Sequence, residues 1–234
     1  MTQLKSNTNP LKIAIIGSRG YPYVYSGYET LIRELSERLV EKGCEVTVYC
    51  HRSLFKEKPA HVNGIKLVYM PTIETKSLSQ FIHSFLSMCH AVVSDADVVF
   101  AVNAANGPFG LISKIFRKPT AINVDGLEWL RPKWKGLGAR YFKIAAWLST
   151  ILFDQIINDS EEMRKVYLNI FKKESVVIAY GATIKKPEDP SLIHQWLIAP
   201  KEYYLVVGRM IPDNNADIIV KGFLASNSTK KMVI

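Results

Sequence analysis

No apolar run in this chain is long enough to cross a bilayer. The longest, Ile144 to Phe153, holds ten residues including Ser149 and Thr150, against the roughly 20 that a spanning helix needs. Residues 1–10 are polar and lack the apolar core of a secretory signal. Cysteine is scarce and odd in number. Cys44, Cys50 and Cys89 form no Cys-x-x-Cys pair and no Cys/His cluster at zinc spacing. That excludes a disulfide framework and a zinc site, leaving reduced, mostly buried thiols in a cytosolic protein as the expectation. Carboxylates are missing altogether between Trp129 and Phe153. G-x-G-x-x-G does not follow the first strand-like run, and no P-loop Lys-Ser/Thr comes after it, which weakens dinucleotide and ATP readings. There is no internal repeat and no low-complexity tract.

What is present is an ordinary globular composition, 48% hydrophobic, with 30 Lys+Arg against 21 Asp+Glu and a net charge of +9. An excess of cations suits nucleic acid, phosphate-bearing substrates or an anionic membrane surface, or serves solubility alone. Apolar strand-like runs alternate with helical periodicity. Leu11–Ile16, Glu45–Cys50, Ile65–Tyr69, Asp97–Val102, Thr120–Val124, Gln155–Asn158 and Val176–Tyr180 read as strands. Tyr28–Lys42, Ser77–Val93, Pro108–Phe116, Ala139–Phe153 and Glu161–Phe171 read as helices. Strand and helix in turn predict an α/β fold, a parallel sheet flanked on both faces. Residues 183–200, punctuated by Pro187, Pro190 and Pro200, read as a linker after a first domain over 11–182. The pattern then restarts at 201–234 with strand Tyr203–Val207, helix Asn215–Leu224 and a strand opening at Met232.

Three stretches carry chemistry. Gly17-Ser18-Arg19-Gly20, running on to Ser26 and Gly27, leaves a strand and enters a helix. Glycines there let backbone approach a ligand, the helix N-terminus attracts anions, and Arg19 is a bidentate phosphate donor. Ser26-x-x-Glu29 also has the spacing of a capping box, so the loop equally reads as a helix start. Asn123-Val-Asp125-Gly-Leu-Glu128-Trp129 sits just past a central strand, where Asn103 and Asn106 leave the preceding one. Carboxylate, amides and ring together suit sugar hydroxyls, while an Asp-Gly turn with Trp129 as core explains the same residues. Arg131, Lys133, Lys135, Arg140 and Lys143, interleaved with Trp134, Tyr141 and Phe142, have the composition of a membrane-surface contact or of a single-strand nucleic-acid groove. A solvated helix face is the plainer reading.

Taken in order, Gly17-Ser-Arg-Gly-Tyr-Pro, Tyr25-Ser-Gly-Tyr-Glu-Thr, Asn123-Val-Asp-Gly-Leu-Glu-Trp, Lys133-Trp134, Asn158-Asp-Ser, Tyr180-Gly-Ala and Val207-Gly-Arg resemble glycosyltransferase family 4, in its bacterial rhamnosyltransferase-like branch. The resemblance runs from about Ile13 to the last residue. It implies the N-terminal, Rossmann-like half of a GT-B glycosyltransferase followed by a truncated second Rossmann-like domain. It further implies a metal-independent, cofactor-free, retaining transfer from a nucleotide sugar, dTDP-L-rhamnose, to a lipid-linked saccharide acceptor at the inner face of the cytoplasmic membrane. Position by position, it places Gly17, Arg19, Gly20, Ser26 and Gly27 in the loop bordering donor phosphate and acceptor, Asp125 against the donor sugar, and Arg209 on the donor diphosphate. Two departures stand out: Ser26-Gly27 replaces a glycine pair, and Pro212-Asp213-Asn214-Asn215 lacks the lysine that often follows the arginine.

Two other function classes compete. A nucleic-acid-binding module is motivated by charge but has no recognised motif, and an NAD-dependent oxidoreductase is motivated by the first strand–helix unit. The 201–234 segment is too short to fold alone, so transfer by this chain by itself is not expected, and an unfinished sheet edge predicts dimer formation or aggregation.

Overall fold

The computed structural model describes residues 9–234 apart from 24, 25, 74, 76, 77, 185, 187, 188 and 209. β1 (Lys12–Ile16), β2 (Glu45–His51), β3 (His61–Val62), β4 (Ile65–Met70), β5 (Val98–Val102), β6 (Thr120–Val124), β7 (Gln155–Asn158) and β8 (Val176–Val177) form a single sheet ordered β3-β4-β2-β1-β5-β6-β7-β8. Its pairings are parallel except β3 against β4. The β-branched runs are buried on both faces, as a parallel sheet under helices requires. Ile13, Ile15, Val46 and Val48 pack beneath Ile32 of α1 (Gly27–Glu41) on one face. Ala14, Ile16, Val99 and Ile122 pack on the other against Met88, Phe109, Ala146 and Tyr167. Those four come from the layer of α2 (Leu78–Val93), α3 (Gly110–Ile115), α4 (Leu137–Leu152) and α5 (Glu161–Phe171), with Phe109 in the turn leading into α3. A separate parallel pair, β9 (Tyr203–Leu205) and β10 (Lys231–Val233), is joined through α6 (Ala216–Ala225). Between the sheets Pro190–Trp196 forms a 3-10 turn, capped by Asp189 Oδ1 accepting from the Ser191 N–H at 2.9 Å. Pro187, one of the prolines marking the linker, lies outside the described residues.

The structure redraws three elements. Helix α3 begins at Gly110 rather than Pro108, because Asn103 Oδ1 accepts from the Ala105 N–H (2.8 Å) and starts a 3-10 turn over Ala104–Phe109. The last strand of the main sheet pairs only at Val176–Val177, and the chain beyond it delivers the Tyr180 hydroxyl to Asn123 Oδ1 at 2.7 Å. The small hairpin β3–β4 is additional. Val62 pairs with Ile65 across Asn63 (φ 52°) and Gly64 (φ 77°), both left-handed, as a two-residue type I′ turn demands.

Packing is close where α4 crosses the 3-10 turn. A Cβ on Gly107 would lie 1.9 Å from the Ala145 carbonyl oxygen and 2.7 Å from Ser149 Oγ. Gly107→Ala should therefore lower stability by about 3 kcal/mol, the upper end for overpacking. Gly222→Ala, in a helix where nothing lies within 4 Å, should raise it by about 0.5–1 kcal/mol. Urea denaturation of both variants checks the pair. A Gly107→Ala midpoint equal to the parent's would mean the crossing is loose.

Candidate functional site

The strand order places the site. From β1 the chain moves outward through α1 to β2; from β5 it moves the opposite way through α3 to β6. The loops leaving β1 and β5 diverge, and an open parallel sheet forms its crevice where the order reverses. A cleft of about 310 Å³ lies there. The segment after β1 contributes Gly17, Arg19, Ser26, Tyr28 and Glu29, and the segment after β5 contributes Asn103, Asn106 and Phe109. Gln80 and Phe81 of α2 line it, as do Glu128, Lys133 and Trp134 from the loop after β6, and Tyr141 and Phe142 of α4.

The glycines serve the fold before any ligand. Gly17 has φ +94°, and a Cβ there would meet Asn106 Nδ2 and the Val102 oxygen, both at 2.5 Å. Gly20 has φ +124°, and a Cβ there would lie 2.8 Å from Cys50 Cβ; it is not part of the cleft lining. Close approach is thus to the neighbouring strands, and of the two glycines Gly17 lines the cleft. Gly27, the first residue of α1, has open space around it but is also outside the lining.

Glu29 pins this loop. Ser26 is the N-cap of α1, but its side chain makes no bond to a helix N–H. Its hydroxyl instead donates to Glu29 Oε2, while Glu29 Oε1 accepts from the Arg19 N–H at 3.1 Å. The capping-box spacing therefore marks the right residues with a different bonding pattern. A second brace comes from α2: Gln80 Nε2 donates to the Gly17 carbonyl and to Ser84 Oγ, each at 3.1 Å. Gln80 Oε1 lies 3.2 Å from His51 Nε2; a carbonyl oxygen only accepts, so that nitrogen carries a proton. His51 stacks on His83 with ring centroids 3.8 Å apart. His83 is fully buried, and neither of its ring nitrogens has a hydrogen-bonding partner among the described residues. Burial, reinforced by His51, drives its pKa down to about 3.

Asp125 stands one layer behind the cleft. It accepts from the Tyr28 hydroxyl on Oδ1 and from the Tyr180 hydroxyl on Oδ2 at 3.4 Å. Through Tyr28 it is tied to the first turn of α1, and it does not itself line the cleft; Tyr28 does. Burial outweighs the Tyr28 hydrogen bond and raises the Asp125 carboxyl above its ordinary range, with repulsion from Asp159 and Glu128 adding to the rise. Burial beside Asp125 likewise holds the Tyr28 phenol far above its usual value.

Glu128 lines the cleft and is a hub for its neighbours. It accepts from Arg131 at 2.6 Å and Trp134 Nε1 at 2.9 Å, and pairs with Lys133 at 3.2 Å. Burial alone would raise its pKa, but these partners outweigh it and leave the carboxyl below the ordinary value. The basic stretch is therefore divided. Arg131, Lys133 and Trp134 engage Glu128, Lys133 while still exposed, whereas the exposed Lys135, Arg140 and Lys143 do not. Trp129 takes the core role, edge-on to Phe171 at 6.0 Å. Asn103 and Asn106 do reach the cleft, each already bonded to its own backbone segment. Arg209 lies outside the described residues. Tyr28, Glu29 and Gln80 were not singled out as site residues. Glu29 was visible as a capping-box position, Tyr28 only as a helix-periodic apolar one, and nothing local marks Gln80.

An eight-stranded, mostly parallel sheet with its crevice at the β1/β5 reversal is the Rossmann-like architecture of GT-B glycosyltransferase domains. Sucrose-phosphate synthase from Thermosynechococcus elongatus superposes with a TM-score of 0.72 at 16% identity, covering 95% of this chain and 61% of that one. Anabaena HepE, solved with UDP and glucose, gives 0.65 at 16% identity over 92% and 58%. Arabidopsis thaliana UGT89C1 with UDP-L-rhamnose gives 0.50 at 13% identity over 87% and 59%. By sequence, residues 11–183 match the family described as a domain of unknown function, DUF1972, and the chain belongs to that family. A relative from Klebsiella pneumoniae, an uncharacterized 42.6 kDa protein in the cps region, is 34% identical over 61 residues, 26% of this chain and 16% of that protein. The chain thus spans under two thirds of the length of each of these proteins.

Two expectations follow. Glu29→Gln leaves one of the two donors, Ser26 Oγ or the Arg19 N–H, without its acceptor. It should lower stability by about 1–2 kcal/mol and speed hydrogen exchange at the Arg19 amide; unchanged protection there would remove Glu29 as the pin. His83 is neutral in the fold down to pH about 3, whereas the unfolded chain protonates near 6.5. Its contribution is whole above 6.5 and is lost as pH falls toward 3, at up to about 1.4 kcal/mol per pH unit. His83→Phe should therefore flatten the acid limb of urea midpoints plotted against pH, and an acid limb as steep as the parent's would refute this.

Proposed function

We propose that this chain is the acceptor-side half of a nucleotide-sugar glycosyltransferase of cell-surface polysaccharide synthesis, with residues 11–182 as that half and 201–234 opening the donor side. The observation that carries the reading is the cleft itself. It joins a helix N-terminus and Arg19, suited to a leaving diphosphate, to amides and the Trp134, Tyr141 and Phe142 rings, suited to a saccharide. The fold shared with HepE and the cps-region relative support it. We take dTDP-L-rhamnose as donor and a lipid-diphosphate-linked saccharide as acceptor, with transfer metal-independent and retaining. In this reading Arg19 meets the donor phosphates, Arg209 adds a second cation to the diphosphate, and Asp125 holds the Tyr28 hydroxyl toward the reacting sugar.

The test uses a protein in which a complete second unit follows residue 234. Thermal shift against dTDP-L-rhamnose, UDP-glucose and NAD, with transfer of labelled sugar, should select a nucleotide sugar; stabilisation by NAD alone would overturn the reading. Asp125→Ala should cut kcat by at least about 100-fold with little change in KM. Tyr28→Phe should show a comparable loss, and the double variant should lose little more than either, as residues acting as a unit do. Unchanged turnover in Asp125→Ala would return Asp125 to a turn former.

A further inference from the structure

Helices α2, α3 and α4 hold no Asp or Glu in their 16, 6 and 16 residues, in a chain with 21 acidic residues. Helix α1, by contrast, carries Glu29, Glu34, Glu37 and Glu41. Lys114 of α3 is paired with Asp154 at 2.6 Å, and Arg140 and Lys143 of α4 stand exposed. The outer sides of α2 and α4 each carry an apolar stripe. Ile144, Trp147 and Ile151 are 49%, 50% and 49% exposed, and their i, i+3, i+7 spacing sets them on one face of α4. On α2, Leu78, Phe81 and Phe85 repeat that spacing, also about half-exposed. The two helices approach through Phe81, edge-on to Phe109 at 4.9 Å and 6.4 Å from Tyr141.

An uncovered apolar stripe of this size calls for a cover, and the charge pattern says which. A second copy would set two carboxylate-free, cationic faces against each other. An anionic lipid surface complements them: aromatic and aliphatic side chains enter at headgroup level while flanking cations meet phosphates. Among the described residues no helix is long and apolar enough to cross a membrane, so the contact would be made along the surface. Phe81 and Tyr141 also line the cleft, so its mouth opens beside the same layer.

We propose that the outer faces of α2 and α4 seat the protein on an anionic bilayer, Ile144, Trp147 and Ile151 entering the interface and Arg140 and Lys143 contacting lipid phosphates. This deepens the lipid-linked acceptor reading above and rests on it for its purpose: an acceptor whose tail stays in the bilayer reaches the cleft edge-on. It also moves the docking surface away from Arg131, Lys133 and Trp134, which are engaged by Glu128.

The chain should sediment with phosphatidylcholine vesicles containing about one third phosphatidylglycerol but not with phosphatidylcholine alone, and binding should weaken as salt shortens the Debye length from about 10 Å toward 3 Å. Ile144→Glu with Trp147→Glu should cut the bound fraction at least about 10-fold, as should Arg140→Glu with Lys143→Glu, each with an unchanged circular dichroism spectrum. Parent protein left in the supernatant, or both variants bound as well as the parent, would overturn the proposal. So would light scattering that finds a parent dimer made monomeric by Ile144→Glu with Trp147→Glu, which would assign the face to a second copy. In the protein with a complete second unit after residue 234, transfer to a short-chain, water-soluble acceptor should survive Ile144→Glu with Trp147→Glu. If vesicle binding fails while that transfer persists, only the docking surface falls, whereas absence of all transfer by that two-unit protein without substitutions sinks the enzymatic reading instead.

Discussion

Strand β1 sits between β2 and β5, and the chain leaves those two pairings in opposite directions. The segments that follow must part, yet at their roots they press together: Asn106 Nδ2 and the Val102 carbonyl oxygen occupy the space a Gly17 side chain would need. Everything at the cleft inherits this contact. The floor is narrow because the two backbones nearly touch, and the walls open because the chains separate above it. A larger residue at Gly17 would have to move the 3-10 turn, and with it α4, which the turn meets through Gly107 and the Ala145 carbonyl oxygen.

Two carboxylates then convert flexible stretches into walls. Glu29 is only 4% exposed and is held by Ser26 and by the Arg19 backbone, so the turn at Arg19, between two left-handed glycines, is tied to the first turn of α1. Glu128 gathers Arg131, Lys133 and Trp134, and Lys133 lies 5.4 Å from the Trp134 ring centroid. A buried carboxylate with several donors is tolerable where a lone one is not. In both places charge stabilises geometry first, and any ligand meets a surface already organised.

Local sequence carried the fold well where one element depends on its own residues. Thr120–Val124, Gln155–Asn158 and Glu161–Phe171 appear with the expected bounds. β-branched runs bounded by polar residues leave little choice, and the Ser160 side chain accepts from the Met163 N–H to start α5. The hairpin at Asn63-Gly64 is not among the sequence expectations, although its dipeptide is the usual type I′ signal, because its strand His61–Val62 is too short to show periodicity. The site was legible only in part. Asp125, Asn103 and Asn106 could be placed at a strand's C-terminal edge by counting. That Asp125 would stand behind Tyr28, that Gln80 would brace Gly17 from 63 positions away, and that Glu128 would claim the first half of the basic stretch all depend on which helix overlies which strand. No local pattern encodes that.

The β1–β5 seam also has a consequence for synthesis on the ribosome. Ile13 pairs with Val98 and Ile16 with Ala101, so the floor of the cleft cannot close when the first strand–helix–strand unit emerges. At about 5–20 residues per second, β1 waits on the order of 5–20 s with one hydrogen-bonding edge open before β5 clears the exit tunnel. During that interval the apolar residues of β1 are available to any other unpaired strand nearby. Pausing or chaperone capture between the synthesis of β1 and that of β5 would therefore bear on the yield of correctly paired sheet.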